Sequence, residues 1–311
     1  MSPAAVSICR TGYIPAERVI LDARPGGVIV TEREVERHSG LPAELSSLVG
    51  RGPQSAAILD GLHTARVVTL TGPGGCGKTR LALRVATLAA GGFGDGARLV
   101  ELASLADPAL VPMGVAETLD VPERDAADPV DGIVRALADR ELLIVLDNCE
   151  HVLASAARVV VMLAGRCPRV RILTTSRERL DVPGEFVFPV PPLGLPEGGS
   201  VGAVAVSEAG ALFVARVRAA SPGFTLTDGN AAAIAKVCSR LDGMPLAIEL
   251  AAPWLRTLPP AQLAERLDDR FALLTGGSRT ALPRHQTLRA VVDWSWHLLR
   301  NRQQVLSLIH I

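Results

Sequence analysis

The sequence has no excess of charge of either sign. Its 32 lysine and arginine residues are balanced by 32 aspartate and glutamate residues. A chain without net charge has no overall basic field of the kind that draws a protein to nucleic acid or to an anionic membrane surface. We therefore expect DNA to be a partner only through a domain that is not present in this chain.

Long apolar runs and paired cysteines are also missing. No uninterrupted apolar stretch reaches the roughly 18 residues that a membrane-spanning helix needs, and the first ten residues lack the basic-then-apolar order of a secretory signal. The five cysteines are scattered and form no C-x-x-C pair or zinc-ligand spacing. These absences predict a soluble, cytoplasmic protein with no membrane partner.

Lysine is nearly absent. Lys78 and Lys236 are the two lysines among the 32 basic residues. A lysine kept in a chain with so strong a bias towards arginine indicates a position where a compact ammonium group is needed. Lys78 lies at such a position, at the end of a glycine-rich loop.

That loop lies in the stretch R-V-V-T-L-T-G-P-G-G-C-G-K-T-R, residues 66–80. The pattern changes there from β-forming residues to a loop and then to a helix. The loop matches G-x-x-x-x-G-K-[ST], the phosphate-binding loop of nucleotide-binding proteins. The alternative, a merely flexible loop, does not account for the flanking strand and helix.

Each residue type in this loop has a chemical reason. Glycines let backbone N–H groups approach phosphate oxygens, and the next helix points its positive end at the same anion. Lys78 is predicted to bind the β- and γ-phosphates of ATP or ADP, and the Thr79 hydroxyl to bind Mg²⁺. The predicted nucleotide-binding residues of the loop are Gly72, Gly74, Gly75, Gly77, Lys78, Thr79 and Arg80.

A second informative stretch is E-L-L-I-V-L-D-N-C-E-H, residues 141–151. Such an apolar run predicts a buried parallel strand that brings an acid to its C-terminal end, where ligands bind in doubly wound sheets. Asp147 is predicted to hold the magnesium ion, directly or through water, and Glu150 to orient the attacking water. The alternatives are a helix N-cap for Asp147 and a solvated first-turn acid for Glu150.

The order of elements predicts an α/β protein with a parallel sheet, followed by an all-α bundle. Residues 1–40 are an unassigned leader, with a domain remnant and a mis-set start codon as the alternatives, and they could hold two short strands, Val19–Leu21 and Val28–Thr31. The nucleotide-binding domain is expected over 41–192, a linker over 193–204, the helical bundle over 205–276 and a last segment over 277–311. The predicted bundle helices are Ser207–Ala220, Asn230–Leu241, Leu246–Leu258 and Pro260–Leu267.

Three shorter motifs accompany these two stretches: L-V-G-R at 48–51, T-T-S-R at 174–177 and G-M-P-L at 243–246. In this order the five motifs resemble the STAND-class, NB-ARC-like P-loop ATPases of bacterial LuxR- or SARP-type transcriptional regulators. The resemblance covers roughly residues 41–300. It implies a P-loop NTPase sheet, an ARC-like bundle and the start of a winged-helix domain.

The same resemblance implies further site residues. Val49 and Arg51 would border the adenine, Arg177 would sense the γ-phosphate, and Pro245 would pack on the base. The alternatives are a plain turn at V-G-R, an ordinary basic surface at Arg177 and a first-turn proline at Pro245.

Residues 281–299 resemble the linker and first helix of the winged-helix domain in this family. Trp294 and Trp296 are predicted to be core residues, with stacking on bases as the alternative. The last six residues, 306–311, match what a sequencing adapter would encode. We therefore expect a C-terminally truncated chain whose last six residues are not native.

The resemblance implies a signal-transducing ATPase switch that binds ATP, ADP and Mg²⁺. ADP would hold the domains closed, and ATP would release them to self-associate or to expose an output surface. Slow hydrolysis would reset the switch. The alternatives are a phosphoryl-transfer enzyme that resembles a small-molecule kinase, and a non-functional fragment.

Overall fold

A computed structural model of the chain describes residues 19–20, 30–31, 40–44, 47–121 and 129–267. These residues form a parallel sheet flanked by helices, and a bundle of helices that follows it. The expected start of a winged-helix domain, 277–311, lies outside the described residues, with Trp294 and Trp296. None of the described helices is long and apolar enough to span a lipid bilayer.

The first unit alternates strands and helices. Before it, β1 (Val19–Ile20) pairs antiparallel with β2 (Val30–Thr31), within the two short strands predicted there. The elements of the unit are α1 (Gly52–Thr64), β3 (Val67–Thr71), α2 (Lys78–Ala89), β4 (Ala97–Glu101), α3 (Val111–Thr118), α4 (Pro129–Leu137), β5 (Leu143–Asp147), α5 (Leu153–Arg166), β6 (Arg171–Ser176) and β7 (Glu185–Pro189).

The sheet has five strands in the order β4-β5-β6-β3-β7, and every neighbouring pair is parallel. The predicted α/β fold with a parallel sheet is therefore confirmed. Since all strands run the same way, their C-terminal ends meet at one edge. In register, Thr71 of β3 lies beside Ser176 of β6, and Glu101 of β4 beside Asp147 of β5. This edge carries the loops that follow β3, β5 and β6.

Strand β5, inside the sheet between β4 and β6, is buried along its whole length, because helices cover both faces of the sheet. Ile144 and Leu146 pack in the apolar cluster that includes α5. The alternate residues, Leu143 and Val145, pack on the other face with Leu81 of α2. Packing on that face holds α2, so that its N-terminus lies at the C-terminal edge of the sheet.

The bundle has its own apolar core, with Phe213, Ile234, Ile248 and Leu263 fully buried. Its helices are α6 (Val201–Val206), α7 (Glu208–Ala220), α8 (Asp228–Arg240), α9 (Pro245–Ala251) and α10 (Pro260–Arg266).

Two features of the bundle differ from the sequence-based expectation. Helix α6 begins inside the range expected as a linker, where the Ser200 side chain caps it by accepting from the N–H of Ala203 at 3.1 Å. The helix expected over Leu246–Leu258 ends as α-helix at Ala251 and continues as a 3₁₀ turn. Pro253 explains this change, because it lacks the N–H that the next α-helical bond would require.

Gly243, in the G-M-P-L motif, joins the bundle to the segment that leaves the sheet. Its carbonyl accepts from the N–H of Leu193 at 2.9 Å, and its φ is +63°. A Cβ at this position would lie 2.3 Å from the Leu193 carbonyl oxygen. Both the dihedral and the space therefore require glycine.

Gly243→Ala should lower the free energy of unfolding by about 2 kcal/mol or more, because alanine brings both backbone strain and a backbone clash. Thermal and urea unfolding measure this loss. Gly229→Ala in α8 is the matched control, since the nearest atom to its Cβ would be the Thr227 hydroxyl at 3.8 Å. Equal destabilisation by the two substitutions would show that Gly243 has no special requirement for glycine.

Candidate functional site

The glycine-rich loop runs from the end of β3 to the start of α2. Gly72, Gly75 and Gly77 have φ values of 151°, 81° and 94°, which are costly for other residues. A Cβ at Gly72 would lie 3.0 Å from the Val190 carbonyl oxygen, and one at Gly75 would lie 3.0 Å from the Leu246 side chain. Gly74 lies in the turn between them.

Lys78 is the first residue of α2 and is only 9% exposed. Its Nζ donates to the carbonyl oxygens of Gly72 at 2.7 Å and Pro73 at 3.1 Å. The ammonium thus lies against the loop, where backbone acceptors offset the cost of its burial.

Three hydroxyl and carboxyl groups meet at the same edge of the sheet. Thr79 Oγ1 and Thr175 Oγ1 both donate to Asp147 Oδ1, at 2.7 and 2.6 Å. Thr175 also accepts the N–H of Asn148 at 2.9 Å. Asp147 is 4% exposed, so these bonds hold its orientation. In the sequence Thr175 belongs to the T-T-S-R motif, and nothing in that motif indicates its bond to Asp147.

Glu150 and Arg177 lie side by side. Arg177 Nε is 3.3 Å from Glu150 Oε1, with the side chains 14% and 5% exposed. Glu150 Oε2 is buried and has no hydrogen-bond partner among the described residues. With a side chain only 5% exposed, Glu150 is mostly buried beside Arg177, unlike the solvated first-turn acid of the alternative.

His151 holds the turn that carries Glu150. Its Nε2 lies 2.8 Å from the Leu102 carbonyl oxygen and 3.1 Å from that of Leu105, and its Nδ1 lies 3.1 Å from Asn148 Nδ2. Two carbonyl acceptors near Nε2 and an amide donor near Nδ1 fit the tautomer in which Nε2 donates and Nδ1 accepts.

Arg51 is 3% exposed and reaches the loop from the L-V-G-R motif. Its Nη2 donates to the Cys76 carbonyl oxygen at 3.1 Å. Its backbone N–H donates to Glu208 at 2.9 Å, and its carbonyl accepts from Ser55 at 2.8 Å. The resemblance implies that the backbone of Arg51 borders the adenine. A hydrogen bond from this N–H or carbonyl to adenine would compete with the bonds to Glu208 and Ser55. Val49 packs against the core of the bundle.

The G-M-P-L motif brings the bundle to the loop. The N–H of Leu246 donates to the Gly75 carbonyl oxygen at 3.2 Å. Pro245 begins α9, and its Cγ would lie 3.8 Å from a Cβ on Gly77. Pro245 is therefore a first-turn proline and also a neighbour of the phosphate loop.

The side chain of Arg80 is directed away from the loop towards the bundle. It donates to Glu249 Oε1 at 2.9 Å and to the Ser47 carbonyl oxygen at 3.2 Å. Arg216 of α7 pairs with the same carboxylate oxygen at 3.0 Å. Sequence reasoning missed Glu249 and Arg216, because no local pattern connects residues so far apart in the chain.

No protein-family model matches this chain. The chain is 43% identical over 241 residues to a Mycobacterium tuberculosis protein named "Putative HTH-type transcriptional regulator Rv0890c". That alignment covers 78% of this chain and 26% of the relative, so the chain spans about a quarter of the relative's length.

Two further comparisons concern the family and the fold. The Walker-type ATPase paby2304 of Pyrococcus abyssi superposes with a TM-score of 0.50 at 12% identity over 74% of each chain, which shows a shared fold. The uncharacterized protein Rv0894 of Mycobacterium tuberculosis is 36% identical over 279 residues, which cover 90% of this chain and 67% of that protein. With this identity over two thirds of the relative, and with the phosphate loop on its parallel sheet, the chain belongs to the family of Rv0894 and has a P-loop NTPase fold.

Proposed function

We propose that this chain is an ATP- and ADP-binding switch, the regulatory module of a bacterial transcriptional regulator. The observation that carries the proposal is the 2.7 Å hydrogen bond between Thr79 and Asp147. It joins the residue after the loop lysine to the acid at the end of β5. These are the two positions that hold Mg²⁺ beside a nucleotide in P-loop NTPases.

The loop residues fit a nucleotide phosphate group. The glycines of the loop adopt dihedrals that let the backbone wrap around an anion, and α2 starts directly after the loop. The Lys78 ammonium donates to two carbonyls of the loop, so it lies where it would also donate to a phosphate bound there.

Thr79 and Asp147 fit magnesium, because hydroxyl and carboxylate oxygens are the hard ligands that this cation prefers. When bound, the cation would supply charge neutralisation to the phosphates. Thr175 supports the site by holding Asp147 Oδ1 from the neighbouring strand.

The proposed readout of the nucleotide depends on two contacts. Arg177, the proposed γ-phosphate sensor, pairs with Glu150, the proposed water-orienting residue. A γ-phosphate that attracts the guanidinium would therefore also change the surroundings of the carboxylate. The bond between Leu246 and Gly75 gives the loop a direct mechanical connection to the bundle. A ligand shifts such a switch only by its differential affinity for the two states.

The proposed output is transcription. It is supported by the name of the relative Rv0890c, an HTH-type regulator. In this proposal the chain belongs to a LuxR- or SARP-type regulator of the STAND class, DNA is bound by another domain, and ATP favours self-association.

Binding and turnover test the proposal together. We expect the chain to bind ADP and ATP in the presence of Mg²⁺ and to hydrolyse ATP below about 0.1 per second, far under the median of about 10 per second for enzymes. Isothermal titration calorimetry and a phosphate-release assay measure the two quantities. Absence of nucleotide binding, or turnover at the rate of a metabolic enzyme, would contradict the switch.

A further inference from the structure

Glu208 lies outside every motif discussed so far, yet it contacts the segment that leads to the phosphate loop. It is in the first turn of α7, the helix capped by Ser207. We propose that Glu208 is a positioning residue that couples the bundle to the phosphate loop through Arg51, and so strengthens nucleotide binding without touching the nucleotide. This inference rests on the nucleotide binding proposed above.

The two carboxylate oxygens of Glu208 bind two different segments of the chain. Oε1 accepts the N–H of Arg51 at 2.9 Å, and Oε2 accepts the N–H of Gly194 at 3.1 Å. The first segment leads into the nucleotide-binding unit, and the second leaves it for the bundle. One carboxylate therefore fastens both connections to the N-terminus of α7, where the helix dipole favours a negative charge.

The backbone before α1 is shaped around this carboxylate. Gly50 and Arg51 have φ values of +71° and +68°, both in the left-handed region. A Cβ on Gly50 would lie 2.7 Å from Glu208 Oε1. The positive φ at Arg51 carries a cost for a residue with a side chain, and the charged hydrogen bond to Glu208 offsets it.

Arg51 carries the effect of Glu208 to the loop. With its N–H held by Glu208, its side chain extends to the Cys76 carbonyl oxygen, inside the phosphate loop and two residues before Lys78. Burial lowers the pKa of the Arg51 guanidinium, and the negative charge of Glu208 opposes that change. Glu208 therefore both places this guanidinium and stabilises its charge.

The test is the affinity for ADP, measured by calorimetry on the full chain. Glu208→Gln keeps the shape but removes the charge and one of the two acceptors, and we expect the dissociation constant to rise about fivefold. Glu208→Ala removes both acceptors, and we expect a rise of about tenfold or more.

Glu185→Gln is the matched control. Glu185 also accepts backbone N–H groups on both oxygens, from Leu180 and Asp181 at 2.9 Å each. It lies beside Val67 at the opposite end of the sheet from the loop. Its substitution should lower the melting temperature without changing the ADP dissociation constant by more than about twofold.

A double-mutant cycle tests the route through Arg51. In an Arg51→Met background, which circular dichroism must show to be folded, Glu208→Gln should change ADP affinity by less than about twofold. A full effect in that background would overturn the proposal, because Glu208 would then act by another route.

The outcomes separate the two proposals. If the unaltered chain binds no ADP, the proposed function fails. If it binds ADP and Glu208→Gln binds equally well while melting at a lower temperature, Glu208 is a structural cap and only the positioning role fails.

Discussion

Lys78→Ala is expected to weaken ADP and ATP binding by about a hundredfold or more, with the fold retained. The substitution removes the ammonium that lies 2.7 Å from the Gly72 carbonyl oxygen and replaces it with a methyl group. The loop backbone still offers its N–H groups but loses the charge that offsets the negative phosphates. Calorimetry measures the affinity, and circular dichroism reports the fold.

The fold should survive because the lost bonds are few. Without the ammonium, the carbonyls of Gly72 and Pro73 each lose a donor, at a cost of about 1–3 kcal/mol, but water can enter the partly exposed loop to replace it.

Lys236→Ala supplies the control for Lys78. It removes the other lysine of the chain, which is exposed on α8. The nucleotide affinity of this variant should equal that of the unaltered chain, because Lys236 lies in the bundle and not in the phosphate loop. Wild-type ADP retention in Lys78→Ala would show that the loop is not the phosphate site.

Asp147→Asn is expected to reduce ATP turnover by about a hundredfold or more and to abolish the dependence of nucleotide affinity on Mg²⁺. An asparagine carbonyl can still accept from Thr79 and Thr175, so the local geometry should remain. What disappears is the negative charge that would hold the cation. Nucleotide affinity as a function of magnesium concentration is the decisive measurement.

The stability of this variant distinguishes a ligand residue from a structural one. Asp147 is 4% exposed and its hydrogen-bond donors are neutral hydroxyl groups. Asp147 forms no salt bridge with the residues that the structure describes, and removing such a buried charge should leave the melting temperature unchanged or raise it.

Asp95→Asn is a suitable comparison for Asp147→Asn, because Asp95 caps the backbone N–H of Glu141 at 2.8 Å on the exposed surface. That substitution should leave magnesium dependence intact. An Asp147→Asn protein that still responds to magnesium like the unaltered chain would exclude Asp147 as a metal ligand.

The sequence alone determined the fold class and the position of the phosphate loop. Local patterns were sufficient for both. The apolar run at 143–147 reads as a buried parallel strand, and glycines at positions that need positive φ mark the loop before Lys78. The bundle was also visible from helical periodicity, although α6 was missed and Pro253 was not recognised as the end of α9.

The tertiary structure alone decided which side chains meet. Thr175 bonds Asp147, Glu150 pairs with Arg177, and Arg80 turns to the bundle. Glu208 reads in sequence as an ordinary first-turn acid, and only the packing of α7 beside the phosphate-loop unit shows that it binds Arg51, 157 residues earlier. Local patterns record backbone conformation and burial, whereas a contact between distant residues depends on how whole elements pack, and no short window of sequence contains that information.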